Sequence, residues 1–341
     1  MSTGFIKKQG SSLTFNKLVV RITLLLSSLA AIGIALIILT VLSSNRLMSV
    51  KGSEISNVPS NVLPSYSTVS FESFDGQTNL SGWFFNCGDS NPISTIIVVH
   101  DSSSNRLQFG VEMIDLVEQF LSSKYNVFLF DLRNCGESGG DITGYGYLEW
   151  QDVLGAISQV KKISVTTDVI LYGIGTGCSA SIIAYDKLPL ANSSETDLLE
   201  YSDRILDLGF DRGYIKGMIL DSPAKNSDDY IRPYVSQNEF LGQLTQFFVP
   251  YAIRVSAEEP SSINLVAEIS RIPVPVCILY GGHDSFIGAD RIEQLVNERY
   301  ALNANITMDV MIPGAGYLES YTTSPEVYSD VIMQYLSDYF G

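Results

Sequence analysis

The 341 residues hold only two histidines, His100 and His283, so a site that needs an imidazole base has two candidates and no more. The four cysteines, Cys87, Cys135, Cys178 and Cys277, include no C-x-x-C pair, which removes any zinc-finger or thioredoxin-like signature. Their even count permits disulfides. Three of them, however, lie near strand or helix segments where buried free thiols are common, and free thiols are expected. Charge is scarce at 17% of residues, partly because one segment is wholly apolar. Positive charge is scarcest: from Lys51 onward 16 basic residues stand against 37 acidic ones, a net of −21. Such a domain repels a phosphate backbone, and no basic patch with interleaved aromatics offsets it, so a nucleic-acid partner is excluded. No internal repeat is visible.

The first 50 residues differ. They carry Lys7, Lys8, Lys17, Arg21 and Arg46 and no acid. Residues 22–42 run without a charge, and at ~1.5 Å per residue they span ~30 Å as a helix, the thickness of a hydrocarbon core. A buried core helix would show a polar face; this one has only Thr23, Ser27, Ser28 and Thr40. Basic residues crowd its N-terminal side. The positive-inside rule therefore predicts a single-pass protein with residues 1–21 cytoplasmic and the large domain extracytoplasmic. The apolar run exceeds the ~7–15 residues of a cleavable signal core, which favours a retained signal-anchor. The membrane is the first expected partner, through residues 22–42.

Residues 43–66 are rich in Ser, Asn and Pro and read as a linker to a domain over 67–341. From Ser67 strands alternate with helices. Val69–Phe74 and Leu80–Phe85 suggest a hairpin around Asp75-Gly76. Strands follow at Ser94–Val99, Asn126–Phe130, Val169–Tyr172, Ile215–Leu220, Val276–Tyr280 and Ile306–Ile312. Apolar residues at helical spacing mark helices between them, the last starting at Ser324-Pro325-Glu326 with Ser324 as its cap. Alternation of this kind predicts an α/β domain, a mostly parallel central sheet flanked by helices. Two segments break the rhythm: a polar, acidic insertion at 187–212, and residues 225–272, whose aromatic and aliphatic stretch around Phe240–Tyr251 suggests a helical cap.

Five landmarks in order then carry a resemblance. They are Ile96-Ile97-Val98-Val99-His100; Phe130-Asp131-Leu132-Arg133-Asn134-Cys135-Gly136-Glu137-Ser138; Tyr172-Gly173-Ile174-Gly175-Thr176-Gly177; Tyr280-Gly281-Gly282-His283-Asp284; and Ile312-Pro313-Gly314-Ala315-Gly316-Tyr317. From Ser67 to its end the chain resembles the α/β-hydrolase superfamily, specifically its serine-hydrolase-like, single-pass members. The resemblance implies an α/β-hydrolase fold with one N-terminal transmembrane helix. It also assigns the oxyanion loop to His100, Asp101 and Thr176, the nucleophile elbow to Gly173 and Gly177, and the triad to Gly175, Asp284 and Tyr317.

A serine hydroxyl becomes a nucleophile only when a base within reach removes its proton. On these assignments the serine position is Gly175, without a side chain, and the base position is Tyr317, whose phenol near ~10 is protonated at neutral pH. Only the acid, Asp284, remains. His283, Cys178, Ser179 and Ser102–Ser104 are the alternatives nearby, each more ordinary as a structural residue. The backbone amides after His100 and Gly175 are expected to converge still, at the positive end of a helix, and to accept a carboxylate or other anion. Gly173-x-Gly175-x-Gly177 lacks the spacing of a dinucleotide loop. The expected function is therefore a non-catalytic pseudo-hydrolase serving as a binding or scaffold protein, with a small molecule, lipid or protein as ligand. The alternative is an active ester, thioester or amide hydrolase with a rearranged site. No cofactor and no metal is implied.

Overall fold

In the computed structural model the described residues are 11–56, 58–59 and 61–341, with side chains described from Lys17 onward. Helix α1 covers Ser11–Met48. Its residues 17–48 are long and apolar enough to cross a membrane. Most of its large side chains point outward from the domain, Leu24 at 64% and Ile37 at 65% exposed. The helix runs past Leu42 and docks on the domain: Ser43, Ser44, Leu47 and Met48 are all buried. Residues 43–66 are therefore not a free linker. Ser44 Oγ donates to the Val41 carbonyl and Ser43 Oγ to Glu239, so these hydroxyls satisfy themselves inside a helix that composition alone argued against. Beyond Met48, Gly52 N–H donates to the Asn134 carbonyl and Ser53 N–H to the Ser103 carbonyl.

The domain elements alternate as the apolar pattern predicts. β1 (Tyr66–Glu72) and β2 (Asn79–Phe85) form the antiparallel hairpin. Then come β3 (Thr95–Val99), α2 (Met113–Ser122), β4 (Asn126–Phe130), α3 (Trp150–Ile163), β5 (Val169–Ile174) and α4 (Thr176–Lys187). The acidic insertion forms two short helices, α5 (Glu195–Leu198) and α6 (Asp203–Leu206), before β6 (Ile215–Asp221). The cap segment holds α7 (Asp228–Asn238), α8 (Gly242–Thr245), α9 (Val249–Ser256) and α10 (Leu265–Arg271). The chain closes with β7 (Val276–Gly281), α11 (Ala289–Asn303), β8 (Thr307–Ile312), α12 (Ser320–Thr323) and α13 (Pro325–Phe340). Ser324 precedes α13 without capping it through its side chain; Pro325 alone sets the first turn.

The eight strands lie in the order β1-β2-β4-β3-β5-β6-β7-β8, with every pair from β3 to β8 parallel. β3 to β7 are buried at every residue except Lys216, so both faces of the sheet are covered, one by α3 and α4 and the other by α2 and α13. The connection runs from β3 out to β4 and then back across to β5. That reversal opens a crevice at the carboxyl ends of β3 and β5. The loops after these two strands carry Asp101 and Gly175.

The turn after β4 is held by buried ion pairs. Asp131 accepts from the Arg106 backbone N–H (2.7 Å), from Arg106 Nη2 (2.6 Å) and from the Glu137 N–H (2.8 Å). Arg133 Nη2 reaches Asp152 (2.7 Å) and Asp75 (2.9 Å). Gly136 sits at φ +47°, where a Cβ would overlap the Asp131 carboxylate. The Asp131-Leu132-Arg133 motif is thus a fold element that sets the height of the crevice wall.

Candidate functional site

Gly175 ends β5 at φ +56°, ψ −122°, the sharp strand-to-helix turn that exposes its position at the top of the sheet. The flanking glycines are required by close packing. A Cβ on Gly177 would overlap the Val99 carbonyl, and one on Gly173 would stand 2.8 Å from the Cys178 backbone.

The space above Gly175 is filled by the chain itself. The Asp101 carboxylate reaches across from the loop after β3. Its Oδ2 accepts from the Thr176 N–H (3.0 Å), the Thr176 hydroxyl (3.1 Å) and the Tyr317 hydroxyl (3.2 Å). Its Oδ1 accepts from the Ser103 N–H (3.0 Å) and hydroxyl (2.6 Å). A Cβ at Gly175 would overlap Asp101 Oδ2 and lie 2.7 Å from the Tyr317 oxygen. A carboxylate therefore occupies the volume that a side chain at the elbow would need.

The amides expected to receive an anion are spoken for. Thr176 N–H holds Asp101, Ser102 N–H donates to Thr176 Oγ1 (2.8 Å), and Asp101 N–H donates to Gln108 (2.8 Å). The expectation of an anion site open to ligand is thereby corrected: a carboxylate side chain on the loop itself already accepts from the Thr176 donors. The signal was present in the sequence as an acid placed directly on a loop whose amides would otherwise bind an anion.

His100 belongs to the framework. It is fully buried, with Nδ1 bonded to the Asp101 carbonyl (2.7 Å) and Nε2 accepting from Leu132 N–H (2.9 Å). Burial holds its pKa below the usual histidine value, so it stays neutral. Its ring is a hydrogen-bonded structural element and is not among the residues lining the crevice. His283 is exposed and donates its backbone N–H to Ala315, and it is not among the residues lining the crevice.

Asp284 Oδ1 accepts from the Phe286 (2.8 Å) and Ile287 (2.9 Å) amides, while its buried Oδ2 has no partner. Burial pushes its pKa up, against those amides. Tyr317 turns its hydroxyl to Asp101, and its ring stacks on Phe286 at 4.7 Å. Its phenol is pushed well above the usual tyrosine range, first by burial and then by the Asp101 carboxylate, so it donates and does not act as a base. Cys178 is buried, donating to the Gly173 and Asp221 carbonyls, and burial drives its pKa well up. A thiol held this way is inert. Ser179 is buried in α4.

What remains open is a small cavity of about 240 Å³ lined mainly by Tyr145, Tyr230, Tyr234, Phe286, Tyr317 and Val50. Tyr230 and Tyr234 come from α7, so the cap does cover the crevice. Residues 240–251 do not line it. Tyr145, Tyr230 and Tyr234 escaped sequence reading because only the fold brings their loops and α7 together beside Tyr317.

Comparison with solved structures places this arrangement. The chain superposes on the Pyrococcus furiosus esterase Pf2001 with a TM-score of 0.62 at 19% identity, covering 86% of this chain and 99% of that one. Est1E of Butyrivibrio proteoclasticus, solved with ferulic acid, gives 0.56 at 15% identity over 80% of this chain and 99% of that one. The fold is that of the α/β-hydrolases. Among curated proteins, this α/β-hydrolase-fold chain is 25% identical to the uncharacterized protein YfhR of Escherichia coli O157:H7 over 275 residues, 79% of this chain and 80% of that protein. It is 22% identical to the uncharacterized protein YqkD of Bacillus subtilis, over 72% of each. No family profile matches the chain.

Proposed function

We propose that this chain is a non-catalytic α/β-hydrolase-fold protein, tethered to a membrane by α1 with its N-terminus cytoplasmic, that binds small uncharged or amphipathic molecules. The observation that carries the reading is the Asp101 carboxylate, seated by five hydrogen bonds where an elbow nucleophile would stand. Bonds of that number leave the carboxylate itself a blunted nucleophile. The adjoining cavity is aromatic with hydroxyls on its wall, and Asp101 at its floor disfavours anionic ligands.

The test is ester hydrolysis together with fluorophosphonate labelling of the full chain in detergent. No turnover of p-nitrophenyl acetate or butyrate and no labelled serine is expected. A single stoichiometrically labelled serine overturns the reading.

A second reading, a hydrolase with a rearranged site, is favoured by one observation: the buried, unpartnered Oδ2 of Asp284 is poised to accept from a base. It needs Ser102, Ser103 or Ser104 as nucleophile. Native turnover abolished by replacing that cluster with alanine would establish it.

A further inference from the structure

The cap carries a surface that the crevice does not use. From Phe240 to Ile253 the sequence has no acidic or basic residue, in a protein where 17% of residues are charged. Its largest side chains face outward: Phe240 at 76% and Phe247 at 68% exposed, with Leu241, Leu244, Phe248, Tyr251 and Val255 beside them. Exposed aromatic side chains at this density on one face of a domain mark an interaction surface. The patch does not stand alone. α9 packs along α1, and between them runs an open groove of about 620 Å³ reaching from Gly33 to Asn45 on one side and from Phe248 to Ser256 on the other.

The position of that groove along α1 identifies its occupant. Gly33 lies nine residues before Leu42, the last residue of the uncharged run, so the groove follows α1 for ~14 Å inside the span that the bilayer would cover, and the ~12 Å of α9 forms its other wall. If α1 crosses the membrane, α9 has nowhere to lie except within the adjacent leaflet. The groove walls fit this: Leu36, Ile37, Val41, Phe248 and Val255 are apolar, and on α1 the polar Thr40, Ser44 and Asn45 stand at the end nearer the domain. Interfacial helices bury an apolar face in just this region and present aromatic residues to it. We propose that α8 and α9 are embedded beside α1 in one leaflet, and that the groove is filled by phospholipid acyl chains. The domain is then attached to the bilayer by a wedge as well as by a tether. This rests on α1 being membrane-spanning.

The experiment uses the full chain in phosphatidylcholine vesicles with acyl-chain-brominated lipid as a quencher. Phe247→Trp, Leu26→Trp and Leu199→Trp variants are compared, with the signal of native Trp83 and Trp150 subtracted from the unsubstituted chain. Leu26 reports the span of α1, and Leu199, on the acidic insertion, reports a surface away from the membrane. F247W is expected to be quenched about twofold or more, with L26W quenched and L199W unaffected. Quenching of L26W with none at F247W would overturn the proposal while leaving the spanning helix intact. No quenching at either site would remove the spanning helix itself. Loss of a chain dimer on Phe247→Asp, with F247W unquenched, would reassign the patch to a second copy of the chain and equally overturn the proposal.

Discussion

Returning a serine to the elbow tests the site most directly. Gly175→Ala and Gly175→Ser each add a Cβ at φ +56°, ψ −122°, which costs about 1–3 kcal/mol in backbone strain. The same Cβ overlaps Asp101 Oδ2 and crowds the Tyr317 hydroxyl, so the carboxylate must leave. Its departure strands the buried Thr176 N–H and breaks the Ser103 bonds, a further ~1–3 kcal/mol. Gly175→Ala is therefore expected to cost roughly 2–6 kcal/mol in the native background and only the strain, about 1–3 kcal/mol, once Asp101→Gly has vacated the space. The assay is a double-mutant cycle by chemical denaturation of the full chain in one detergent. A coupling of about 1–3 kcal/mol is expected; additivity within ~0.5 kcal/mol would refute the steric argument. Catalysis supplies a second readout. Gly175→Ser with Tyr317→His should stay inactive, because the displaced Asp101 carboxylate remains beside the elbow on its loop and its charge opposes an oxyanion developing there. Adding Asp101→Gly should give measurable p-nitrophenyl butyrate turnover and fluorophosphonate labelling. Turnover by the double variant at the level of the triple would show that Asp101 is no obstacle.

Three further outcomes are expected. Asp221, buried against the Tyr328 and Ser222 hydroxyls, has its pKa pushed up to about 6 by desolvation. Because that exceeds the unfolded value of ~3.9, its contribution to stability is fully present below the unfolded value and is lost as pH rises through about 6. Asp221→Asn should therefore gain on the native chain across pH 4 to 6 and level off above, by on the order of 2–3 kcal/mol, visible as a pH-dependent difference in melting temperature; a constant difference would refute it. Arg133→Ala strands the buried Asp152 and should cost about 3–5 kcal/mol by urea denaturation, with Arg133→Ala/Asp152→Asn recovering part of it. Finally, all four cysteines are free and only Cys87 is not buried, so a thiol reagent should modify Cys87 fast in the folded chain and the others only on unfolding.

Much of the fold was legible because its signals are local. Ser94–Val99, Asn126–Phe130 and Val276–Tyr280 are short continuous apolar runs, and a strand buried on both faces has no other way to look. Gly173 and Gly177 announced a close-packed turn. The failures are places where a polar residue found a partner far along the chain. Residues 43–48 read as linker because serine and asparagine favour turns, yet Ser43 meets Glu239, 196 positions away, and Leu47 and Met48 enter the core. His100 ends a strand beside the oxyanion loop, and its place there is consistent with the structural, hydrogen-bonded ring it proves to have, though its partner at Leu132 is 32 positions away. Of the crevice tyrosines only Tyr230 and Tyr234 share a helical spacing, on α7; Tyr145 and Tyr317 come from separate loops with no common period. Sequence spacing carries the elements; only closure of the sheet decides which loops share an edge.

Asp101 and Tyr317, with the bare backbone of Gly175, are best understood as one physical unit. A glycine alone at the elbow would leave a cavity over amides that point at nothing, and buried unpaired N–H groups are costly. A tyrosine alone in place of a smaller base would drive its hydroxyl into an elbow side chain. With Gly175 bare, Asp101 can advance to take the Thr176 amide, and Tyr317 can then donate to the same oxygen. Each residue removes a penalty that another would create, which is how an apparent loss at two positions ends as a saturated hydrogen-bond network. It follows that Tyr317→Phe should be tolerated better than Asp101→Ala. The first removes a single 3.2 Å bond to a carboxylate that keeps its other donors, about 0.5–1.5 kcal/mol, whereas the second strips every one of those donors of its acceptor at once. Denaturation midpoints in the opposite order would mean that the Tyr317 hydroxyl, and not the Asp101 carboxylate, is what holds the crevice shut, since phenylalanine keeps the stack on Phe286.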